Sequence, residues 1–238
     1  RDAARLLLDA AALRESLGHV SHAEQDELRA FELDPANDRA FAMLIGRRGH
    51  KGPEAVAELL LKRAGAVPSE AAALHRSRGQ VLAAAGRLEL AADALDASLA
   101  CDPDQPEALA LRADLAEELA GDDAASPFDE RFLAVAGRGV AVPRSHRVRA
   151  GYRAGLAAFS RGDDARALEL LAEAFALEPS HGRTREALVA LSRLYERSGD
   201  RVRLYETCLA RAAQLGDQAE RIEALREAVS AAPDAARE

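Results

Sequence analysis

Few residues of this sequence could do chemistry, and the densest group is His19, His22, Glu24 and Asp26. A turn followed by a helix start can bring such groups together, and imidazole is a common metal ligand. The group has no cysteine beside it and is expected to lie in an exposed turn. We therefore expect solvated side chains there and no metal site. The four other histidines are far apart in the chain and form no cluster.

Adjacent carboxylates are plentiful, as at Glu117-Glu118, Asp122-Asp123 and Asp163-Asp164. General acid–base catalysis needs a desolvated pocket around such groups, and the flanking sequence indicates none. Asp163-Asp164 instead suits the positive end of a helix dipole. The sequence also lacks HExxH, Walker, GxSxG and dinucleotide-binding motifs. We therefore expect no catalytic residue and no cofactor, and we expect the chain not to be an enzyme.

The composition predicts an all-α fold. Of the 238 residues 48% are hydrophobic, but only 4% are aromatic, and Ala and Leu dominate. Both residues rank high in helix propensity, whereas the residues that favour strands are scarce. The net charge of -8 disfavours a nucleic-acid partner, since duplex binding depends on Lys and Arg neutralising phosphates. No apolar run is long enough to span a bilayer.

The chain begins at Arg1 without an initiator Met or a signal-peptide pattern, so we expect a segment of a longer protein. Its compartment stays open, with the cytoplasm slightly favoured. Cys101 and Cys208 are far apart and have no metal-ligand spacing. We expect both to be buried, reduced thiols.

Two kinds of turn and helix-termination signal recur along the chain. A glycine is expected in the tight turn within each helix pair, where a left-handed residue without a Cβ clash is favoured. These glycines are Gly18, Gly52, Gly86, Gly162 and Gly199. An acidic or small residue followed by proline is expected to end a pair. These steps are Asp34-Pro35, Val67-Pro68, Asp102-Pro103 and Glu178-Pro179.

Three segments, residues 4–37, 72–105 and 148–181, share one order of small and large residues. In the clearest of them Gly79 marks a close approach of two helices and Leu95 faces the core. This order resembles the tetratricopeptide repeat, a helix–turn–helix of about 34 residues. The resemblance covers nearly the whole chain, although residues 38–71, 106–139 and 182–216 match loosely and most first-helix aromatic residues are replaced.

The resemblance implies an all-α, right-handed superhelical solenoid of antiparallel helix pairs with about six to seven repeats. Residues 121–125 are expected to form a non-helical insertion, followed by a helix with Pro127 first and a capping box of Ser126 and Asp129. The C-terminal part of the chain fits two assignments of the repeat boundaries. The one that we prefer has a repeat at residues 182–216 followed by a new unit at 219–229. The other has a final repeat at 202–235 that ends at Pro233.

Residues 140–147 add length beyond a normal repeat and contain Pro143. They are either a longer loop within one continuous solenoid or a boundary between two groups of repeats. The two groups would be residues 1–139 and 148–238.

Basic residues cluster between Arg144 and Arg161 in an otherwise acidic chain. There Arg149, Tyr152 and Phe159 share a helical face. In tetratricopeptide proteins the first helices line the concave groove that receives ligands. The resemblance therefore implies the partner-binding residues Arg76, Gln80, Arg149, Tyr152, Arg153, Phe159, Arg193 and Arg197. The alternative is a solvated charged face with Tyr152 and Phe159 packed in the core.

Some family members grip a C-terminal carboxylate with Lys, Asn and Arg on two adjacent first helices. Only Arg76 and Gln80 occupy comparable places here, so binding of that kind is not expected. We expect a non-catalytic scaffold or adaptor that holds a segment of a protein or peptide partner in the concave groove. The alternatives are self-association, a structural link within a larger multidomain protein, and regulation of an enzyme elsewhere in the same polypeptide.

Overall fold

A computed structural model describes residues 2–232, which form thirteen α-helices and one 3-10 turn, Pro68–Glu70, with no strand among them. The all-α prediction is confirmed. In the first half the helices are α1 (Asp2–Ser16), α2 (Val20–Leu33), α3 (Asp38–Arg48), α4 (Pro53–Ala66), α5 (Ala71–Ala84), α6 (Leu88–Cys101) and α7 (Pro106–Ala120). In the second half they are α8 (Asp122–Gly137), α9 (Arg144–Ser160), α10 (Asp164–Leu177), α11 (Thr184–Ser198), α12 (Arg201–Gln214) and α13 (Gln218–Ala231).

The predicted glycine turns join the helices into pairs. All five glycines have a positive φ, between 71° and 111°, which glycine adopts without a Cβ clash. They join α1 to α2, α3 to α4, α5 to α6, α9 to α10 and α11 to α12, and Gly121, with φ 85°, joins α7 to α8. Gly199 has this conformation and Gly216 does not, which supports the preferred frame with α13 opening a further unit. Pro233 lies outside the described residues.

The predicted proline steps end helices as expected. Asp34, Asp102 and Glu178 are the C-terminal caps of α2, α6 and α10, and each precedes a proline. At each cap the backbone N–H still donates to the carbonyl four residues earlier, to Ala30, Ser98 and Ala174 respectively. A helix cannot continue through these steps, because the residue before proline is disfavoured in helical geometry.

Small side chains let the paired helices approach closely. A Cβ added at Gly79 would lie 2.7 Å from Leu95 Cγ, and one added at Gly155 would lie 2.7 Å from Leu171 Cγ and Cδ2. These distances confirm that both glycines mark helix crossings. Around the second crossing, Val148, Ala158 and Ala167 are fully buried.

Contacts divide the chain into two compact units, Arg1–Leu115 and Ala116–Glu238, which we call unit 1 and unit 2. In unit 1 α1 packs on α2, α4 on α5, and α5 on α6; in unit 2 α9 packs on α8, α10 and α11, and α12 packs on α11 and α13. Within residues 140–147 helical structure begins at Arg144. A boundary between repeat groups at 140–147 stays a prediction.

The expected insertion at residues 121–125 is wrong. Gly121 is the N-cap of α8, which begins at Asp122 and contains Pro127 in its interior. Two aspartates in the first turn stabilise this earlier start through the helix dipole. The capping box is also wrong, because the Ser126 hydroxyl donates to Glu130 Oε1 at 3.2 Å.

The two cysteines are free but differ in environment. Cys208 is buried as expected, whereas Cys101, the last residue of α6, is exposed, which corrects its predicted burial. Among the described residues no helix is both long enough and apolar enough to cross a membrane.

Candidate partner-binding grooves

Arg153, expected in a ligand-binding groove, lies in the interior of unit 2 with 2% of its surface exposed. Its Nε donates to Asp129 Oδ2 at 2.6 Å, its Nη2 to Asp129 Oδ1 at 2.7 Å, and its Nη1 to Glu117 Oε2 at 2.5 Å. Burial by itself would lower the pKa of the guanidinium, but these carboxylates raise it above its ordinary value. Arg153 therefore joins α7, α8 and α9 from inside and does not present its charge to a partner.

Tyr152 is also placed in the interior, which corrects its expected role in the groove. Its side chain is fully buried, and its hydroxyl lies 2.9 Å from the Glu178 carbonyl, to which it donates, and 3.2 Å from Thr184 Oγ1. The ring stacks on His181 with 4.9 Å between centroids. Burial raises the pKa of the phenol. The core alternative therefore describes Tyr152.

Phe159 is half-buried against the core of unit 2, and the exposed Arg197 lies beside it. The Arg197 guanidinium lies over the Phe159 ring, 5.4 Å from its centroid, a cation–π geometry. Arg197 Nη2 also lies 2.9 Å from Asp164 Oδ1. Arg149 is half-buried near the start of α9.

Arg76 and Gln80 lie on α5 in unit 1, apart from the other expected residues in the chain. Arg76 Nη1 donates to Glu107 Oε2 at 3.1 Å, and Gln80 is exposed. The Arg76 charge is thus already balanced by a carboxylate on α7.

Arg193 faces a groove formed by α11, α12 and α13, which we call the C-terminal groove. The groove has a volume of about 340 Å³. It is lined by Val189, Ser192, Arg193, Glu196, Leu204, Cys208, Arg211, Glu227 and Ser230. Arg193 is exposed, and no carboxylate of residues 2–232 forms an ion pair with it.

The base and one wall of the C-terminal groove are fixed by polar contacts. Ser192 donates to the Leu188 carbonyl at 2.8 Å, and Cys208 Sγ lies 4.0 Å from Ser192 Oγ. Burial raises the pKa of the Cys208 thiol, which favours its neutral form. On the wall, Arg211 forms an ion pair with Glu227 and so joins α12 to α13. Of the two arginines in the groove, only Arg193 has its charge available to a partner.

A second depression, the central cleft, lies between the end of α7, the start of α8 and the last turns of α9. Its volume is about 520 Å³, and Leu156, Ala157 and Ser160 form its α9 side. Arg183, the residue before α11, borders it and donates to Asp122 Oδ2 at 2.5 Å and to Glu117 Oε1 at 2.6 Å. These bonds raise the pKa of Arg183, the contact with Asp122 contributing most.

Sequence reasoning missed Arg183, Glu117 and Asp129 because their contacts join residues of different repeats. Arg183 and Glu117 are separated by 66 positions. No motif spacing within one repeat indicates such a pair. A basic residue directly after Gly182 in the loop before α11 is the only local signal, and it is a weak one.

Solved structures of similar fold identify the class. YrrB, described as a TPR protein with an unusual peptide-binding site, is 16% identical with a TM-score of 0.54, covering 84% of this chain and 97% of that one. The C-terminal part of a TPR repeat-containing protein from Cytophaga hutchinsonii is 16% identical with a TM-score of 0.53, covering 78% and 73%. The MamA RS-1 ArsTM double mutant is 20% identical with a TM-score of 0.50, covering 81% and 96%.

Neither the scan against protein-family models nor the search of curated proteins finds a match. At these identities the likeness to solved structures concerns the fold. By that fold the chain is a TPR-like helical repeat protein, an all-α solenoid of about six repeats.

Proposed function

We propose that the chain is a non-catalytic scaffold that holds a segment of a partner protein in the C-terminal groove. The observation that carries this proposal is Arg193, an exposed cation without an ion pair among the described residues, on the wall of a groove built from three helices. Arginine is enriched among the residues that dominate binding energy at interfaces. A guanidinium also forms paired hydrogen bonds with carboxylates and single ones with carbonyl oxygens.

The rest of the groove supports a protein segment as the ligand. Val189 and Leu204 supply apolar surface, while Ser192 and Ser230 supply hydroxyl groups along the same groove. Such a combination of apolar lining and a few polar groups is typical of ligand sites of this size. The similar protein YrrB carries a peptide-binding site, which favours a peptide segment over a small molecule. The net charge of -8 favours a protein partner over a nucleic acid.

Of the other expected binding residues, Arg149, Phe159 and Arg197 remain as proposed contacts on unit 2. Arg76 and Gln80 remain as proposed contacts on unit 1. The interior positions of Tyr152 and Arg153 remove them from the proposed site.

Selection from a displayed library of random peptides tests the proposal. We expect the chain to enrich a family of peptides, and Arg193→Glu to weaken the best of them by about 1–3 kcal/mol in a titration, or roughly fivefold to a hundredfold. Ser230→Trp, which fills the rim of the groove, should weaken it as well. Arg221→Glu is the matched control, because Arg221 is exposed on α13 outside the groove. Enrichment of no peptide, or full affinity in both groove variants, would refute the proposal.

Self-association is the second candidate, and exposed apolar side chains favour it. On α13 Ile222, Leu225 and Val229 are exposed, Val229 to 70%, and they border an apolar depression of about 390 Å³. On α1 Leu6 and Leu13 are exposed. Contiguous apolar surface of this kind marks interaction sites in soluble proteins. This candidate and the groove proposal use different surfaces and are tested separately.

A further inference from the structure

Arg183 makes a contact that skips one helix pair. It directly precedes α11, yet its guanidinium is bonded to Glu117 in the last turn of α7 and to Asp122 in the first turn of α8. The whole α9–α10 pair lies between them in the sequence. In stacked repeats each repeat normally contacts only its neighbours. Arg183 therefore makes a contact between next-nearest helix pairs.

Glu117 connects this contact to the interior. One carboxylate oxygen of Glu117 accepts from Arg183 and the other accepts from the buried Arg153. The inner pair, Arg153 with Asp129, is closed to water, with 2% and 1% of the side chains exposed. The outer side chains, those of Arg183, Glu117 and Asp122, are about a third exposed, at 28%, 31% and 30%. Water and ions reach the outer contacts, so salt screens these and leaves the inner pair intact.

We propose that Arg183 is an electrostatic latch that closes the central cleft and that ionic competition releases it. In the closed state its side chain bridges the mouth of the cleft from the α11 side to the α7–α8 side. The segment before it, residues 178–183, lies between α10 and α11. Tyr152 holds its first part through the Glu178 carbonyl and the His181 ring, so the conformational change is confined to Gly182, where a Cβ would meet nothing within 4 Å, and to Arg183 itself. Release frees the Arg183 side chain and opens the α9 wall of the cleft at Leu156 and Ser160.

The rest of α11 stays in place when the latch opens. Thr184 is held by the Tyr152 hydroxyl at 3.2 Å, and Ala187 and Leu188 are fully buried. Release is therefore a local change, confined to the last turn of α7, the first turn of α8 and the segment before α11. The latch goes beyond the proposed function and operates without a partner, so it is tested on the chain alone.

Hydrogen–deuterium exchange measures the latch directly. We expect exchange at residues 117–126 and 181–183 to rise about threefold to tenfold between low and high ionic strength, because the screened pairs are partly exposed. In Arg183→Gln these amides should already exchange fast at low salt and show little further response. Arg166→Gln is the control, since it removes the exposed pair with Glu169 on α10 and touches no latch residue.

Asp122→Asn keeps the side-chain shape but removes the charge of one partner of Arg183. Combined with Arg183→Gln, it distinguishes a latch from a general loosening of unit 2. A latch predicts that Asp122→Asn and Arg183→Gln each raise exchange at residues 181–183, away from the α8 start that Asp122 also stabilises, and that combining them adds nothing there. Additive effects at residues 181–183 in the double variant overturn the proposal. Exchange at residues 117–126 that responds neither to salt nor to Arg183→Gln overturns it as well.

Discussion

Arg153 and Asp129 are joined by two parallel hydrogen bonds, of 2.6 and 2.7 Å, in the interior of unit 2. A planar guanidinium matches a carboxylate in this geometry, which makes the pair directional as well as strong. The pair fixes α9 against α8, and Glu117 extends it to α7. Arg153, part of the basic cluster that the sequence predicts to bind a partner, therefore holds three helices together instead.

Removing one member of this pair should lower the free energy of unfolding substantially. Arg153→Met leaves Asp129 buried without its guanidinium, and we expect a loss of about 3–5 kcal/mol in the free energy of unfolding. Arg153→Met combined with Asp129→Leu should recover most of that loss, because no buried charge remains. Urea denaturation followed by circular dichroism measures both variants. A loss below about 1 kcal/mol in Arg153→Met would show that water reaches the pair.

The Gly155 crossing should not tolerate a side chain. A Cβ there would lie 2.7 Å from Leu171 and 3.2 Å from its backbone nitrogen, so Gly155→Ala should destabilise by about 1–3 kcal/mol and Gly155→Leu by more. Thermal denaturation provides the measurement. Gly182→Ala is the control, because a Cβ at Gly182 meets nothing within 4 Å. Equal stability of the two alanine variants would contradict the close approach.

The sequence predicts the fold well where one residue fixes the backbone. A left-handed turn requires glycine and a proline ends a helix, so Gly18, Gly162 and Pro179 mark boundaries that the structure confirms. The predicted start of α8 at Pro127 is wrong: proline is common at the first position of a helix, but here the Asp122 and Asp123 carboxylates stabilise an earlier start.

The site was harder to predict than the fold. Helical spacing places Tyr152 and Phe159 on one face, but spacing does not show how much of that face the neighbouring helices cover. Burial of Tyr152 depends on α11, which supplies Thr184 from 32 positions away. The charge of Arg193 likewise stays available to a partner because Glu227 on α13 pairs with Arg211 on α12 instead. The Arg193 sequence neighbourhood does not show this pairing.

The two cysteines should react at very different rates with a thiol-alkylating reagent. Cys101 is exposed, whereas Cys208 is buried and its thiol pKa is raised by burial. Alkylation requires an accessible thiolate, so native protein should take up one label, at Cys101. Mass spectrometry of digested protein locates the label, and labelling in denaturant should reach both sites. Rapid native labelling of Cys208 would show that the C-terminal groove opens to its base.

If the chain self-associates through α13, its average molecular mass in solution should rise with protein concentration. Val229→Glu should then keep the chain monomeric, because it places a charge in the apolar patch with Ile222 and Leu225. Sedimentation velocity over a concentration series measures this. Leu90→Glu is the control, since Leu90 is exposed on α6. A monomer at every concentration would exclude this candidate.

The most direct test of the scaffold proposal is the exchange footprint of a selected peptide on the intact chain. Hydrogen–deuterium exchange is compared with and without the peptide. We expect slower exchange at residues 189–196, 204–211 and 227–230, which surround Arg193 in the C-terminal groove, and loss of this protection in Arg193→Glu. Protection confined to other parts of the chain, or equal protection in Arg193→Glu, would contradict the account.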